Sequence, residues 1–326
     1  MEDKNIFYIK NIVDKEITEE SSFTNKNIDT QKLVNKTKED IKKLSDDDFI
    51  ETLISCFIPD TYKDQGRKEK LYTKLSELLV GEWWRRMGGS YVLPTKKSGT
   101  EDVDMILGNK VIVCDSKIFR LGRSQKAPNV KDFLKLASVV TWINNLKRKY
   151  AEESIDRDVI GGLVTYSSFH EWEKDSEVYQ ECSNQNTSVL MLPYEILGLL
   201  LKMKDKFFLN DLLVLWDYNK IGMGESSSKE AYWKTVDSFV CELLGIDEIN
   251  YRECICKYRD KIVFARDKYK ELVLDDIKEK KNQIKKRIDY FKDIEELKES
   301  VIRELDEHEN AKNRDYLDRI DKFRNY

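Results

Sequence analysis

Apolar positions along the chain alternate between the spacing of strands and the spacing of helices. Two short apolar runs, 103–107 and 111–114, flank a turn at 108–110 and predict a tight hairpin whose second strand is buried. Apolar runs at 159–166 and 188–192 predict two further buried strands. The pattern therefore predicts a β-sheet that includes a hairpin.

Helical spacing surrounds these strands. The clearest helix is predicted for 67–87, where a glycine pair follows at 88–89. Further helices are predicted for 130–150, for 194–202 and almost throughout from residue 207. The order of helix, strand, hairpin, helix, strand, strand and helix indicates an α/β protein with a central mixed β-sheet flanked by helices.

The same pattern divides the chain into three segments. Residues 1–65 form an N-terminal helical and polar segment, 66–205 contain the sheet, and 206–326 are helical. Residues 257–326 are highly charged, with apolar residues at helical spacing but an imperfect heptad pattern. This favours a long exposed helix or a helix pair, serving as an interface, over a strict coiled coil.

Composition restricts the function classes. The 326 residues are 40% hydrophobic and 36% charged with a net charge of −4, so no overall basic field indicates nucleic acid. The first residues lack a signal-peptide pattern and no apolar run is long enough for a membrane span, so we expect a cytoplasmic protein without membrane contact. Its six cysteines are expected to be reduced, and its two histidines are too few for a histidine-based metal site.

A candidate site lies at the end of the second hairpin strand. Asp115 and Lys117 project from the same face of that strand, and Asp104 on the first strand is expected to lie level with Asp115. Charges beside a buried strand are costly unless they are paired or bind a metal. With the carbonyl of Ser116, two carboxylates suit Mg²⁺, and Mn²⁺ is expected to substitute. Lys117 would either orient the attacking water or stabilise charge on a phosphorane.

Glu77 lies near the middle of the predicted helix 67–87, beside its apolar face. It is either a boundary residue of that helix or a third acidic group that reaches the hairpin site. A lone D-x-K pattern occurs by chance, so the prediction depends on context. That context is the apolar strand before Asp115, the second carboxylate on the preceding strand and the acidic helix upstream.

The chain becomes basic directly after Asp115, because six cationic residues fall within nineteen positions and only Asp115 and Asp132 oppose them. The six are Lys117, Arg120, Arg123, Lys126, Lys131 and Lys135. Such a patch on an acidic protein suits phosphate groups, which arginine contacts bidentately. The alternative is a solvated loop of a lysine-rich chain.

The run Asp115-Ser116-Lys117-Ile118-Phe119-Arg120-Leu121-Gly122-Arg123 is far more specific than D-x-K. Together with segments 69–74, 104–106 and 131–133, it resembles the HindIII-like type II restriction endonucleases of the PD-(D/E)xK nuclease superfamily. The likeness covers about residues 60–300 and leaves the N-terminus unmatched.

The resemblance implies a PD-(D/E)xK nuclease core with large helical additions, mainly C-terminal. It implies Asp104 and Asp115 as metal ligands and Lys117 as the catalytic lysine, and it places Glu77 at the family's acidic helix position. By the same likeness, Asp132 belongs to the site or to DNA positioning. Val103 replaces the expected proline, and Asp102 competes with Asp104 as the first ligand.

The function implied is that of a homodimeric, Mg²⁺-dependent endonuclease that cuts double-stranded DNA at a short palindrome and leaves a 5′-phosphate and a 3′-hydroxyl. A cognate DNA methyltransferase is the expected partner, and A-A-G-C-T-T is the site that the resemblance suggests. Two alternatives stay open: a structure-specific or repair nuclease of the same fold, and a catalytically inactive DNA-binding protein.

Overall fold

The computed structural model describes residues 3–17, 30–62, 66–94, 101–121, 136–167, 174–288 and 295–321. Five helices precede the sheet: α1 Asp3–Ile6, α2 Tyr8–Glu16, α3 Thr30–Lys42, α4 Asp46–Ile54 and α5 Gly66–Arg86. Helices α6 Leu136–Glu152, α7 Glu177–Cys182 and α8 Tyr194–Lys202 alternate with its later strands. Short 3₁₀ turns lie at Asp60–Tyr62, Lys204–Lys206 and Leu213–Trp216.

The strands form one five-stranded mixed sheet in the order β1-β2-β3-β4-β5. The first three pair antiparallel, and β3, β4 and β5 pair parallel. Their bounds are β1 Ser90–Val92, β2 Val103–Leu107, β3 Lys110–Lys117, β4 Asp158–Tyr166 and β5 Val189–Pro193. The predicted mixed sheet and its hairpin are confirmed.

Helix α5 is extensively buried beside the sheet, because its apolar residues recur at helical spacing and end in two tryptophans. Trp83 and Trp84 are both fully buried. The indole of Trp84 donates to the carbonyl of Ile106 in β2 at 3.1 Å, and that of Trp83 donates to Leu197 in α8 at 2.8 Å. These bonds fix α5 against both the hairpin and α8.

The C-terminal part is helical, as predicted. It contains α9 Leu209–Leu212, α10 Tyr218–Ile221, α11 Lys229–Leu244, α12 Glu248–Ile288 and α13 Glu295–Asp321. The last two helices run antiparallel, since Lys270 pairs with Asp321 at 2.6 Å and Asn313 donates to Asp276 at 3.0 Å. Residues from all three sequence segments contribute to one buried apolar cluster. Within the described ranges, no helix is long and apolar enough to cross a bilayer.

Two glycines allow close packing on β4, Gly162 against helix α6 and Gly161 against Ser188 and Trp216. A methyl group on Gly162 would lie 2.7 Å from Val139 of α6. One on Gly161 would lie 2.4 Å from the carbonyl oxygen of Ser188 and 2.6 Å from Trp216. That carbonyl accepts the Gly162 amide, and the Trp216 indole donates to Gly162.

Gly161→Ala is therefore expected to lower the free energy of unfolding by about 1–3 kcal/mol, because backbone must move to admit the methyl group. Gly224→Ala is the matched control, since no described atom lies within 4 Å of its added carbon. Its effect should stay within about 0.5 kcal/mol. Denaturant unfolding measures both, and equal losses would contradict the packing described here.

Candidate active site

The register of the hairpin decides which acidic residues meet. Leu107 pairs with Lys110 across a two-residue turn, in which Gly108 takes a φ of +60°. Asp104 consequently pairs with Val113, and Val103 pairs with Cys114. The expectation that Asp104 lies at about the same level as Asp115 is wrong, because the pairing of Asp104 with Val113 places it two positions away from Asp115.

Asp102 instead lies beside the end of β3. Its backbone amide donates to the carbonyl of Cys114 at 3.0 Å, and its carboxylate accepts the backbone amide of Ser116 at 2.9 Å. Regular pairing of the two strands starts only at Val103. The Asp102 side chain thus occupies the point where the hairpin strands separate.

Asp115 and Lys117 form an ion pair at this point. Lys117 Nζ lies 2.7 Å from Asp115 Oδ1, and the exposed fractions of the two side chains are 21% and 1%. Asp115 Oδ2 is buried without a hydrogen-bond partner. Burial, and then the charge on Asp102, raises the pKa of Asp115, whereas Lys117 lowers it. The net result is a raised pKa, so Lys117 does not fully compensate for the buried carboxylate.

Glu77 reaches the same cluster from α5. Its side chain is buried, and Lys74, one helical turn earlier, contacts its carboxylate at 2.5 Å. Burial raises the pKa of Glu77, the charges on Asp102 and Asp115 raise it further, and Lys74 lowers it. Because the charge on Asp102 raises the pKa of both Glu77 and Asp115, these three carboxyl groups constitute one acidic cluster.

Asp104 has different charged neighbours. It is 8% exposed, and one carboxylate oxygen is buried without a hydrogen-bond partner. Burial and the charge on Glu101 raise its pKa to about 7, while Lys149 and Arg157 lower it. The last two lie at the end of α6 and just before β4. Asp104 is therefore a buried acid on β2 that lies outside the cluster formed by Asp102, Asp115 and Glu77.

Ser116 is held through both its hydroxyl group and its backbone amide. Its hydroxyl lies 3.3 Å from that of Tyr194, a fully buried residue at the start of α8, and its amide is bonded to Asp102. Sequence reasoning did not identify Tyr194, because a contact across 78 positions leaves no local signal. Lys74 was also missed, although its spacing of three from Glu77 on a helix is a usable signal.

Of the predicted DNA contacts, the structure describes only Arg120. Its Nη2 lies 2.8 Å from both carboxylate oxygens of Glu69 in α5. The remaining predicted contacts lie outside the described residues. These are Arg123, Lys126, Lys131, Asp132 and Lys135.

The donors at this point suit a hard divalent cation. In the described part of the chain, no three His, Cys, Asp or Glu side chains are close enough to form a complete metal site. Mg²⁺ needs fewer than three protein side chains, because it keeps several waters and binds through one or two carboxylates. The unpartnered Asp115 Oδ2, the Asp102 carboxylate and the Ser116 carbonyl fit that requirement.

A mixed sheet flanked by helices, with buried acids and a lysine where its hairpin opens, is consistent with an α/β nuclease core. The family model for HindIII restriction endonuclease matches residues 12–297. The chain therefore belongs to the HindIII restriction endonuclease family, a family of nucleases that typically use a divalent metal. The match begins at residue 12, whereas the likeness was expected to begin only at about residue 60. A search of curated proteins found no match.

Glu77→Gln is expected to stabilise the metal-free protein at alkaline pH. Burial raises the pKa of Glu77, so the parent protein loses stability as the pH rises from the usual pKa of glutamate toward the raised value. Glutamine carries no charge and avoids this loss. In EDTA at about pH 8.5, the free energy of unfolding should exceed that of the parent by more than about 1 kcal/mol.

The same pair of proteins provides the control at about pH 5, where Glu77 is protonated and the difference should nearly vanish. A difference that does not depend on pH would contradict a raised pKa at Glu77.

Proposed function

We propose that the protein is a Mg²⁺-dependent type II restriction endonuclease. It would hydrolyse phosphodiester bonds of double-stranded DNA at a short palindromic site and leave 5′-phosphate and 3′-hydroxyl ends. The observation that carries the proposal is the unpartnered, buried Asp115 Oδ2, which lies beside Asp102 and Lys117 in a chain of this family. A buried carboxylate in excess negative charge favours a bound cation.

The cation would be held by Asp102, Asp115 and the backbone carbonyl of Ser116. When bound, it supplies Lewis acidity toward a phosphoryl oxygen and lowers the pKa of a coordinated water. Asp102 supports this role better than Asp104, because Asp102 lies at the strand end beside Ser116, whereas Asp104 pairs with Val113.

Lys117 keeps its ammonium at the Asp115 carboxylate and is partly exposed, so it can approach a phosphate that enters the site. There it would orient the attacking water or stabilise negative charge on the phosphorane. Glu77 would accept a proton or a hydrogen bond from a water on the α5 side, with Lys74 holding its carboxylate in place.

A two-fold homodimer would place one active site on each strand of a palindrome. Residues 206–326 are proposed to dimerise or to embrace DNA, which agrees with exposed Leu272, Leu274 and Leu305 on the α12–α13 pair. The division of the chain into 1–65, 66–205 and 206–326 and the cognate DNA methyltransferase stay predictions. The same holds for the A-A-G-C-T-T site.

The proposal predicts that the purified protein cuts phage DNA into discrete fragments with Mg²⁺ and that Mn²⁺ substitutes. EDTA and Lys117→Ala should each abolish the fragments on a gel, and end-sequencing would give the site. Intact plain duplex, together with cleavage of branched DNA, would favour a structure-specific nuclease. Intact DNA that the protein nevertheless shifts in a binding assay would favour an inactive DNA-binding protein.

The two candidate first ligands can be compared directly, because they are identical residues two positions apart. Asp102→Asn is expected to reduce the cleavage rate by roughly 100-fold or more, as for removal of one charge-stabilising group. Asp104→Asn should keep the cleavage rate within about threefold, since Asp104 lies outside the acidic cluster and its charged neighbours are Glu101, Lys149 and Arg157.

Thermal unfolding provides a readout that does not depend on cleavage. Mn²⁺ should raise the unfolding midpoint of the parent and of Asp104→Asn, but not that of Asp102→Asn, because a ligand stabilises only the state that binds it. The reverse pattern would assign the site to Asp104.

A further inference from the structure

We propose that Arg120 is a positioning residue, paired with Glu69, that holds the end of β3 against helix α5. The two elements carry Lys117 and Glu77, so the pair would fix the distance between the two sides of the active site. This inference rests on the nuclease function proposed above, and it gives Arg120 a role other than the predicted contact with DNA.

One guanidinium nitrogen of Arg120 contacts both oxygens of the Glu69 carboxylate, and both side chains are partly exposed. Arg120 Nη2 lies 2.8 Å from both oxygens of the Glu69 carboxylate. The exposed fractions of the two side chains are 21% and 33%, and Arg120 Nε is buried without a hydrogen-bond partner. The guanidinium is thus directed into the protein and toward α5, and its charge is already matched by a carboxylate.

The pair joins the two elements close to the catalytic positions. Glu69 lies in the first turn of α5, and Glu77 follows eight residues later, about 12 Å along the same helix. Arg120 follows Lys117 by three residues. A shift of α5 relative to the end of β3 would therefore change the separation of Glu77 from Lys117.

Backbone bonds anchor Arg120 independently of its side chain. The Ile58 amide donates to the Phe119 carbonyl at 2.9 Å, and the Leu121 amide donates to the Ile58 carbonyl at 3.0 Å. Phe119 and Leu121 are buried on either side of Arg120. These contacts fix the strand end to the chain before α5. Loss of the ion pair should therefore allow a small shift of the N-terminal half of α5, whose other end Trp83 and Trp84 hold, without unfolding the segment.

The two roles of Arg120 predict opposite effects of Glu69→Gln. If Arg120 positions α5, this substitution lowers the cleavage rate and leaves DNA affinity unchanged. If Arg120 contacts a phosphate, removing Glu69 frees the guanidinium and strengthens DNA binding.

The test compares Glu69→Gln, Arg120→Gln and the double variant Glu69→Arg/Arg120→Glu with the parent. The cleavage rate at saturating enzyme is measured with Mg²⁺, and the Kd for a duplex of about twenty base pairs from the cleavage site is measured in EDTA by fluorescence anisotropy. Each single variant should cleave roughly 10- to 100-fold more slowly, as expected for a small misplacement of catalytic groups. The Kd should change by less than about threefold.

The double variant Glu69→Arg/Arg120→Glu should cleave at least about fivefold faster than Arg120→Gln. Its cleavage rate should stay below that of the parent, because an arginine in the first turn of α5 interacts unfavourably with the helix dipole. Lys70→Gln is the control for a lost charge on the same helix, because Lys70 is exposed. It should match the parent in rate and Kd.

A weaker Kd for Arg120→Gln, with a salt dependence reduced by about one charge, would assign Arg120 to DNA and overturn the inference. So would a reversed pair that cleaves no faster than the single variants. A denaturant double-mutant cycle on Glu69 and Arg120 needs no activity and separates the two proposals. If the two residues show an interaction energy but the parent protein cuts no DNA, the nuclease function is overturned and the Glu69–Arg120 pair stands. If the parent protein cuts DNA but the two residues show no interaction energy, only the pair is overturned.

Discussion

The site depends on a carboxylate that the fold buries without sufficient positive charge beside it. Asp115 is 1% exposed, one of its oxygens has no hydrogen-bond partner, and Lys117 offsets only part of the cost of its burial. A structural ion pair would be expected to satisfy both oxygens. The sheet, the hairpin and α5 together maintain this unfavourable arrangement, which is typical of functional sites and not of packing.

The register of the hairpin decides which acid of the first strand lies near Asp115. Hydrophobic periodicity was sufficient to predict both strands, the buried helix α5 and the mixed sheet. It could not set the register, because Gly108, Asn109 and Lys110 all tolerate turn conformations and the apolar residues of the hairpin occupy both faces of its strands. With two residues in the turn, Asp102 reaches Ser116 and Asp104 pairs with Val113.

Contacts between distant segments account for what the sequence could not predict. Tyr194 reaches Ser116 from the start of α8, and Glu69 reaches Arg120 from the start of α5. The basic patch after Asp115 predicted phosphate binding from its charge alone. The sequence does not show which of these charges are paired with acidic residues within the protein. Arg120 shows the difference, since its charge is matched within the protein. By contrast, the position of Glu77 near the site follows from helical spacing and the adjacent sheet.

The net charge of the site explains how the binding of DNA can depend on a bound cation. Glu77, Asp102 and Asp115 carry three negative charges when ionised, and Lys74 and Lys117 offset two of them. The remaining negative charge repels a phosphate. On the proposed function, a divalent cation would reverse the sign of the charge, so that a phosphate diester and the cation would stabilise each other in the site. The buried, incompletely paired Asp115 would thus make DNA approach and cation binding mutually dependent, which would limit cleavage to the complex that contains both.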